Sequence, residues 1–264
     1  MIKPKKSLGQ NFLKDQNIIN KIIKRGNINE NNILEIGPGT GNLTAKIIMK
    51  NPNNLILVEK DQNLISGLKN IIKFKNITIY NEDVLKINLE KIILKNTIVF
   101  GNLPYNISTQ ILLKLIKIKN KPLKYSKLIL MFQKEVAEKI MAKCDTKNYG
   151  RLAVIANLKL KITDHFKISK NCFWPKPKVD SMLLVFEPIS SNKYKIKNIK
   201  NLEYITQIFF SNKRKMVNKC FKKIFLNSNE VSKKLKIDLS SRPGEIKPDK
   251  YYQITELFEK YKIS

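Results

Sequence analysis

One histidine, His165, is the whole supply in 264 residues. A Ser/His triad or a histidine general base therefore has almost no material. His165 itself lies in a strand-like stretch, LKLKITDHFKIS, and reads as a structural or surface residue. Cysteine is nearly as scarce. Cys144, Cys172 and Cys220 form no C-x-x-C pair and their number is odd. That argues against a disulfide framework and a zinc site and points to a reducing, cytoplasmic compartment. No apolar run approaches the roughly 20 residues of a membrane span. The start, MIKPKKSLGQNFL, lacks the continuous apolar core of about 7 to 15 residues that marks a secretory signal. Acidic residues are few, 21 against 51 basic, for a formal charge of +30. Such a field suits a polyanionic partner, nucleic acid above all. Lys, Asn and Ile are abundant throughout, as A+T-rich coding produces, so about half of the excess charge is taken as compositional drift.

What remains is ordinary globular material, with 42% apolar residues and one or two domains expected. Asp15 caps a first helix over DQNIINKIIKRG (15–26), which Gly26 stops. Strands are expected at 32–36, 54–61, 76–84, 96–100 and 127–132, with helices between them at 43–50, 62–72 and 108–116 and after them at 134–142. That alternation predicts an α/β fold, a doubly wound, Rossmann-like parallel sheet with right-handed crossovers. LKLKITDHFKIS (158–169) and SMLLVFEP (181–188) have no full helix between them and predict an antiparallel pair at one edge. The polar stretch after Pro188 sets a domain boundary: 1–188 the sheet domain, 189–264 a smaller helical domain. Helices are expected there over 201–225, 229–236 and 251–263.

Ligands of open α/β sheets bind beyond the carboxyl ends of the strands, and four groups fall there. Gly37, Gly39 and Gly41 in EIGPGTG let the backbone turn sharply and approach a ligand at a helix N-terminus. Glu59 ends the second strand, where a carboxylate commonly binds ribose hydroxyls. Asp83 ends the third, placed to accept from an adenine amino group or to cap a helix. These three would serve NAD or S-adenosylmethionine (SAM) equally well, and G-x-G-x-G leans only slightly from the dinucleotide spacing. The fourth is Asn102-Leu103-Pro104-Tyr105, after the apolar run NTIVF.

That tetrapeptide resembles the signature of the amino-group DNA and RNA methyltransferases, in its N-[LI]-P-Y form for rRNA adenine. The chemistry accounts for the residue types. An exocyclic adenine nitrogen is a poor nucleophile because its lone pair is delocalised into the ring. Acceptors for both of its N–H bonds draw it toward tetrahedral geometry. The Asn102 side-chain oxygen and the Leu103 carbonyl supply them. Pro104 fixes its own φ and keeps Leu103 extended, and Tyr105 offers a ring face to a flipped-out adenine. With a methyl donor that carries its own leaving group, positioning and charge stabilisation supply much of the rate. Neither a strong general base nor a metal is required.

The likeness extends, in order, through KKSLGQNFL, EIGPGTGNLT, VEKD, EDVL, GNLPYNIS, MFQKEVAEKI, YGRLAV, FWPKPKVDS and IDLSSRPGEI. Together these resemble the small-subunit rRNA dimethyladenosine transferases over nearly the whole chain. The resemblance implies SAM-dependent dimethylation of two adjacent adenosines in the 3′-terminal hairpin loop of small-subunit rRNA, on an immature subunit, by a cytoplasmic monomer that binds no membrane. It implies that Asn11 and Leu13 form a lid over SAM, and that Gly37, Gly39, Glu59, Asp83 and Asn102 contact it. It makes Phe173 a ring stacking on the target base opposite Tyr105, although sequence context alone favours core packing. Gly244 departs from the family's usual acidic residue after Pro243. The alternatives are a large-subunit adenine methyltransferase of the macrolide-resistance type and a non-catalytic RNA-binding assembly factor. A metabolic NAD enzyme leaves Asn102 and Tyr105 unexplained. The basic run NKRK (212–215) is expected to join a face that holds phosphates.

Overall fold

The computed structural model describes residues 4–71, 74–119, 123–189 and 193–261. The start of the expected linker (190–192) and the ends of two expected helices (72 and 262–263) lie outside them. The chain divides into two compact units, 1–137 with 161–188, and 138–160 with 189–264. The division expected from composition, 1–188 and 189–264, differs in the segment 138–160, which groups with the second unit.

The first unit is built on a seven-stranded sheet in the order β4-β3-β2-β5-β6-β9-β7. Its strands are β2 (Asn32–Ile36), β3 (Asn54–Glu59), β4 (Ile77–Asn81), β5 (Thr97–Asn102), β6 (Tyr125–Gln133), β7 (Leu160–Ile168) and β9 (Ser181–Pro188). The first five pair in parallel, as the alternating pattern requires. β2, β3 and β5 read as continuous apolar runs because helices cover both faces, and Ile33, Leu34, Leu55, Leu57 and Val99 are fully buried. β9 runs antiparallel to β6, with β7 at the edge. The connecting helices are α2 (Asn42–Ile48), α3 (Gln62–Ile71), the short α4 (Leu89–Ile92) and α5 (Ser108–Ile116), with α6 (Lys134–Met141) after β6. Ahead of the sheet, Asp15 caps α1 (Gln16–Ile23), accepting from Asn17 N at 2.9 Å and Ile18 N at 3.0 Å. A two-stranded ribbon, β1 (Phe12–Leu13) with β8 (Phe173–Trp174), was not expected; strands this short carry no periodicity.

The second unit holds α7 (Arg151–Ala156), α8 (Ile199–Phe210), α9 (Asn218–Ile224), α10 (Ser228–Leu235) and α11 (Pro248–Tyr261). The helix expected over 201–225 breaks into α8 and α9. The polar run SNKRK offers no apolar side chain to bury, and Ser211 Oγ turns back to the Ile208 carbonyl at 2.8 Å. Phe209, Phe221 and Tyr251 meet edge to face at 5.4–5.6 Å between ring centres. The buried carboxylate of Glu259 accepts from Lys197 N at 2.7 Å and Asn198 N at 2.9 Å, satisfying donors at the start of α8. Among the described residues no helix is long and apolar enough to cross a membrane.

Gly101 in β5 is closely covered by two leucine side chains, which a Cβ would displace. A Cβ there would lie 2.5 Å from Leu103 Cδ2 and 3.1 Å from Leu130 Cδ2. Gly101→Ala is expected to lower stability by about 1–3 kcal/mol, read as a fall in the urea midpoint at unchanged slope. An unchanged midpoint would mean that Leu103 moves aside freely.

Candidate active site

β2 lies between β3 and β5, so the chain leaves it in opposite directions on its two sides. Crevices at such a reversal are where α/β sheets bind ligands. The loop after β2 turns through left-handed backbone at Gly37 (φ 68°), Gly39 (φ 59°) and Gly41 (φ 81°). Gly39 has a second constraint, because a Cβ on it would stand 2.9 Å from the Phe12 ring. Glu59, at the end of β3, ties this loop down. Its Oε2 accepts from Gly39 N at 3.2 Å and its Oε1 from Asp61 N at 2.9 Å. Burial raises the pKa of Glu59, and those two N–H donors oppose the rise.

Asp83 follows β4 and closes a turn; it does not cap a helix, since the next one, α4, has Asn88 as its N-cap. Its Oδ1 accepts from Leu85 N at 2.9 Å, closing a turn, and its Oδ2 pairs with Lys60 Nζ at 3.0 Å. The Leu85 N–H, then Lys60, hold its pKa below the ordinary value against partial burial. Asn102 ends β5, and its Nδ2 donates to the Asn11 carbonyl at 2.8 Å. Tyr105 is partly buried, with its hydroxyl 2.6 Å from Ser181 Oγ. Burial raises its pKa; the Ser181 contact opposes.

Asn11, Gly37, Gly39, Glu59, Asp83, Asn102, Leu103, Pro104 and Tyr105 line one open cleft. Two expected site residues stand elsewhere. Leu13 is buried and lines a smaller crevice beside Glu35 and Asn102. Phe173 is 2% exposed, pairs with Leu13 across the β1–β8 ribbon, and belongs to the core. It has the packing place that its sequence context favours, and it does not line the cleft. Gly41 serves as the N-cap of α2.

Four residues escaped the sequence reading. Lys5 Nζ and Gln10 Nε2 both reach the buried carboxylate of Asp61, at 2.7 and 2.9 Å, and fasten the N-terminal segment beside the cleft. Burial works to raise the Asp61 pKa, but these bonds prevail and lower it. Glu35, in the same EIGPGTG motif, is 2% exposed and accepts from Thr44 Oγ1 at 2.7 Å. Burial pushes its pKa up to about 8, with the Thr44 bond opposing. An acid inside an otherwise apolar strand was the signal for Glu35. Asp61 has a local mark as the acid ahead of α3, accepting from Asn63 N at 3.2 Å, but the partners that fasten the N-terminal segment lie 51 and 56 residues away.

As chemistry, the cleft offers carboxylates at the ends of two strands for hydroxyl or amino donors and a backbone loop that a ligand can approach closely. At its rim sit a fixed carboxamide and a phenol ring.

Residues 1–260 match the family described as ribosomal RNA adenine dimethylase. The chain is 46% identical over 259 residues to the ribosomal RNA small subunit methyltransferase A of Pelagibacter ubique, covering 98% of each chain. Among solved structures it is similar to a dimethyladenosine transferase from Plasmodium falciparum, with a TM-score of 0.77 and 27% identity over 94% of this chain and 98% of that one. A 23S rRNA methyltransferase shares the fold, with a TM-score of 0.68 at 19% identity over 94% and 99%.

Glu35 gives a pH test of the site's electrostatics. A carboxyl whose folded pKa is raised from 4.5 to about 8 contributes stability that is full below the unfolded pKa and is lost as pH rises through the folded one. The stability difference between the unmodified chain and Glu35→Gln should therefore shrink as pH rises, by about 1 kcal/mol per unit between roughly 5 and 8. Urea titrations at about pH 6 and about pH 8 measure it. A flat or growing difference would mean that Glu35 is ionised in the folded chain.

Proposed function

The chain belongs to the ribosomal RNA adenine dimethylase family and is a methyltransferase of small-subunit rRNA, and from that premise we propose which of its residues carry the transfer and where on the RNA it acts. The reading is that two adjacent adenosines of the 3′-terminal hairpin loop each receive two methyl groups at the exocyclic nitrogen, on an immature subunit, with SAM as donor. One arrangement carries it: the Asn102–Tyr105 tetrapeptide opens onto the same cleft as the glycine loop, Glu59 and Asp83. The large-subunit alternative rests on a likeness of fold.

The residues of the cleft suit SAM. Each oxygen of Glu59 already accepts one backbone N–H and keeps a second lone pair, which suits the two ribose hydroxyls. Asp83 is held by Leu85 N and Lys60 in a position to accept from the adenine amino group. Gly37 and Gly39 leave room for the donor against the backbone, with Asn11 closing over it. SAM supplies a methyl group on a positively charged sulfur. Asn102 Oδ1 and the Leu103 carbonyl accept from the two N–H bonds of the target nitrogen and turn its lone pair toward that methyl. Tyr105, anchored through its hydroxyl by Ser181, gives the target base a ring to lie against. The second unit carries RNA and subunit recognition. Arg214 and Lys215 of its NKRK run are exposed, whereas Lys213 Nζ donates to the Lys147 carbonyl at 2.6 Å. The chain acts as a monomer in the cytoplasm.

The deciding experiment incubates the protein with immature small subunits and tritiated SAM and maps the labelled nucleotides. Label on two neighbouring adenosines near the 3′ end is expected; label confined to large-subunit RNA would overturn the substrate. Two variants divide binding from chemistry. Glu59→Ala should weaken SAM binding by calorimetry on the order of tenfold to a hundredfold, for loss of charge-assisted hydrogen bonds of about 1.5–3 kcal/mol. Unchanged affinity in a folded variant removes the ribose assignment. Asn102→Ala should cut turnover about a hundredfold or more while RNA affinity stays within about threefold, because the clamp acts mainly as the nitrogen changes geometry. A parallel fall in rate and affinity would make Asn102 a binding residue only.

A further inference from the structure

Trp174 is the only tryptophan in the chain, and it stands half in water. Its exposure is 46%, although a large indole ring is among the side chains that gain most from burial. The β1–β8 ladder explains the position. Leu13 faces Phe173 and Phe12 faces Trp174 in antiparallel register. Successive strand residues point to opposite faces, so Phe173 and Leu13 enter the core while Trp174 and Phe12 share the other side. There the indole lies over the Phe12 ring, with centres 6.4 Å apart and planes 28° from parallel. Phe12 is buried and lines the cleft next to Asn11. The exposed ring is thus one residue removed from the site wall.

Lysines outnumber acids in the sequence around it. Lys176 and Lys178 follow it in sequence, Lys14 follows the paired strand β1, and all three are exposed, as is the apolar side chain of Val179. The two acids of the region are tied to backbone donors: Asp180 Oδ1 accepts from Lys170 N at 3.0 Å, and Asp15 caps α1. An exposed π-face with exposed lysines two and four residues on is the chemistry of single-stranded nucleic acid binding, where a base stacks and the adjoining phosphates meet lysines. A duplex hides its bases from such a surface, and an acidic peptide would leave the ring unused.

We propose that Trp174 is a stacking platform for an unpaired base of the substrate RNA flanking the adenosine in the cleft, with Lys176 and Lys178 meeting its phosphates. This rests on the reading that the chain methylates an RNA loop. It assigns the outward half of the β1–β8 ribbon to substrate registration, holding the strand while one nucleotide turns inward.

Because Trp174 is alone, its fluorescence reports on the site directly. Oligoadenylate of about eight nucleotides, within the usual site size, should quench the emission of the full chain to saturation. An A-form duplex of equal length should leave it nearly unchanged at equal occupancy, with occupancy read by anisotropy of end-labelled RNA. Trp174→Phe, which keeps a ring, should hold single-strand affinity within about threefold, whereas Trp174→Leu should lose on the order of tenfold. The salt dependence of binding should keep its slope in Trp174→Leu, since no phosphate contact is removed. Both variants should bind SAM as the unmodified chain does. Emission unmoved by saturating single strand overturns the proposal, as does RNA affinity intact in Trp174→Leu; if SAM affinity alone falls there, the ring merely packs on Phe12. Methyl transfer to small subunits is measured on the same preparation. Quenching without transfer would support the platform and remove the reading it rests on, while transfer without quenching would do the reverse.

Discussion

A carboxamide has one accepting and one donating end of nearly the same shape, and a site that must receive an amino group needs the accepting end outward. In this chain the backbone makes that choice. Asn102 Nδ2 donates to the Asn11 carbonyl at 2.8 Å, which leaves Oδ1 as the acceptor. The bond spans 91 residues of sequence, so the chemistry at the end of β5 depends on where the N-terminal segment lies. That segment is anchored on both sides of Asn11. Upstream, Lys5 and Gln10 grip Asp61; downstream, Phe12 and Leu13 pair with β8. The N-terminal segment and the end of β5 are therefore one hydrogen-bonded construction.

The same logic governs the buried acids of a chain with charge +30. Glu59 and Asp61 stand two residues apart, yet their pKa values move in opposite directions. Glu59 meets only backbone N–H groups, and burial dominates. Asp61 meets an ammonium and an amide, and they overcome its burial. Glu35 has a hydroxyl as its hydrogen-bond partner and shifts furthest, toward the neutral acid. A loop held this way needs no reorganisation when a ligand arrives, because its donors are already satisfied by protein acceptors that have lone pairs left over.

The parallel sheet and four of the site's segments were legible because each is local. A β-branched run, a turn and a polar residue at its end are read within ten positions, as for Glu59 after NLILV and Asn102 after NTIVF. Asp15 at the start of α1 was equally local. What escaped was set by distance or by brevity. The Asp61 anchor joins residues 51 and 56 positions apart, and the ribbon of β1 and β8 is two residues per strand. Phe173 shows the limit of resemblance: the motif names a ring for the target base, while the ladder turns that ring into the core and presents its neighbour to solvent. The break between α8 and α9 escaped because aromatic residues on both sides of SNKRK preserve a helical period across it.

Charge and shape do different work on an RNA substrate. Lysines at the surface release counterions from any phosphate chain, so they raise affinity for every RNA alike and carry no sequence information. The cleft adds a requirement for an exocyclic amino group, which still admits every accessible adenine. Selection of neighbouring adenosines must then come from how the RNA is held on either side of the cleft, and a helix cannot be held there because its bases are stacked inward. A loop already unstacked by its own fold spares the protein the cost of flipping, a few kcal/mol per base in a duplex. The chain therefore has no need of a wedge to open paired RNA, and its recognition surfaces are free to be flat and basic.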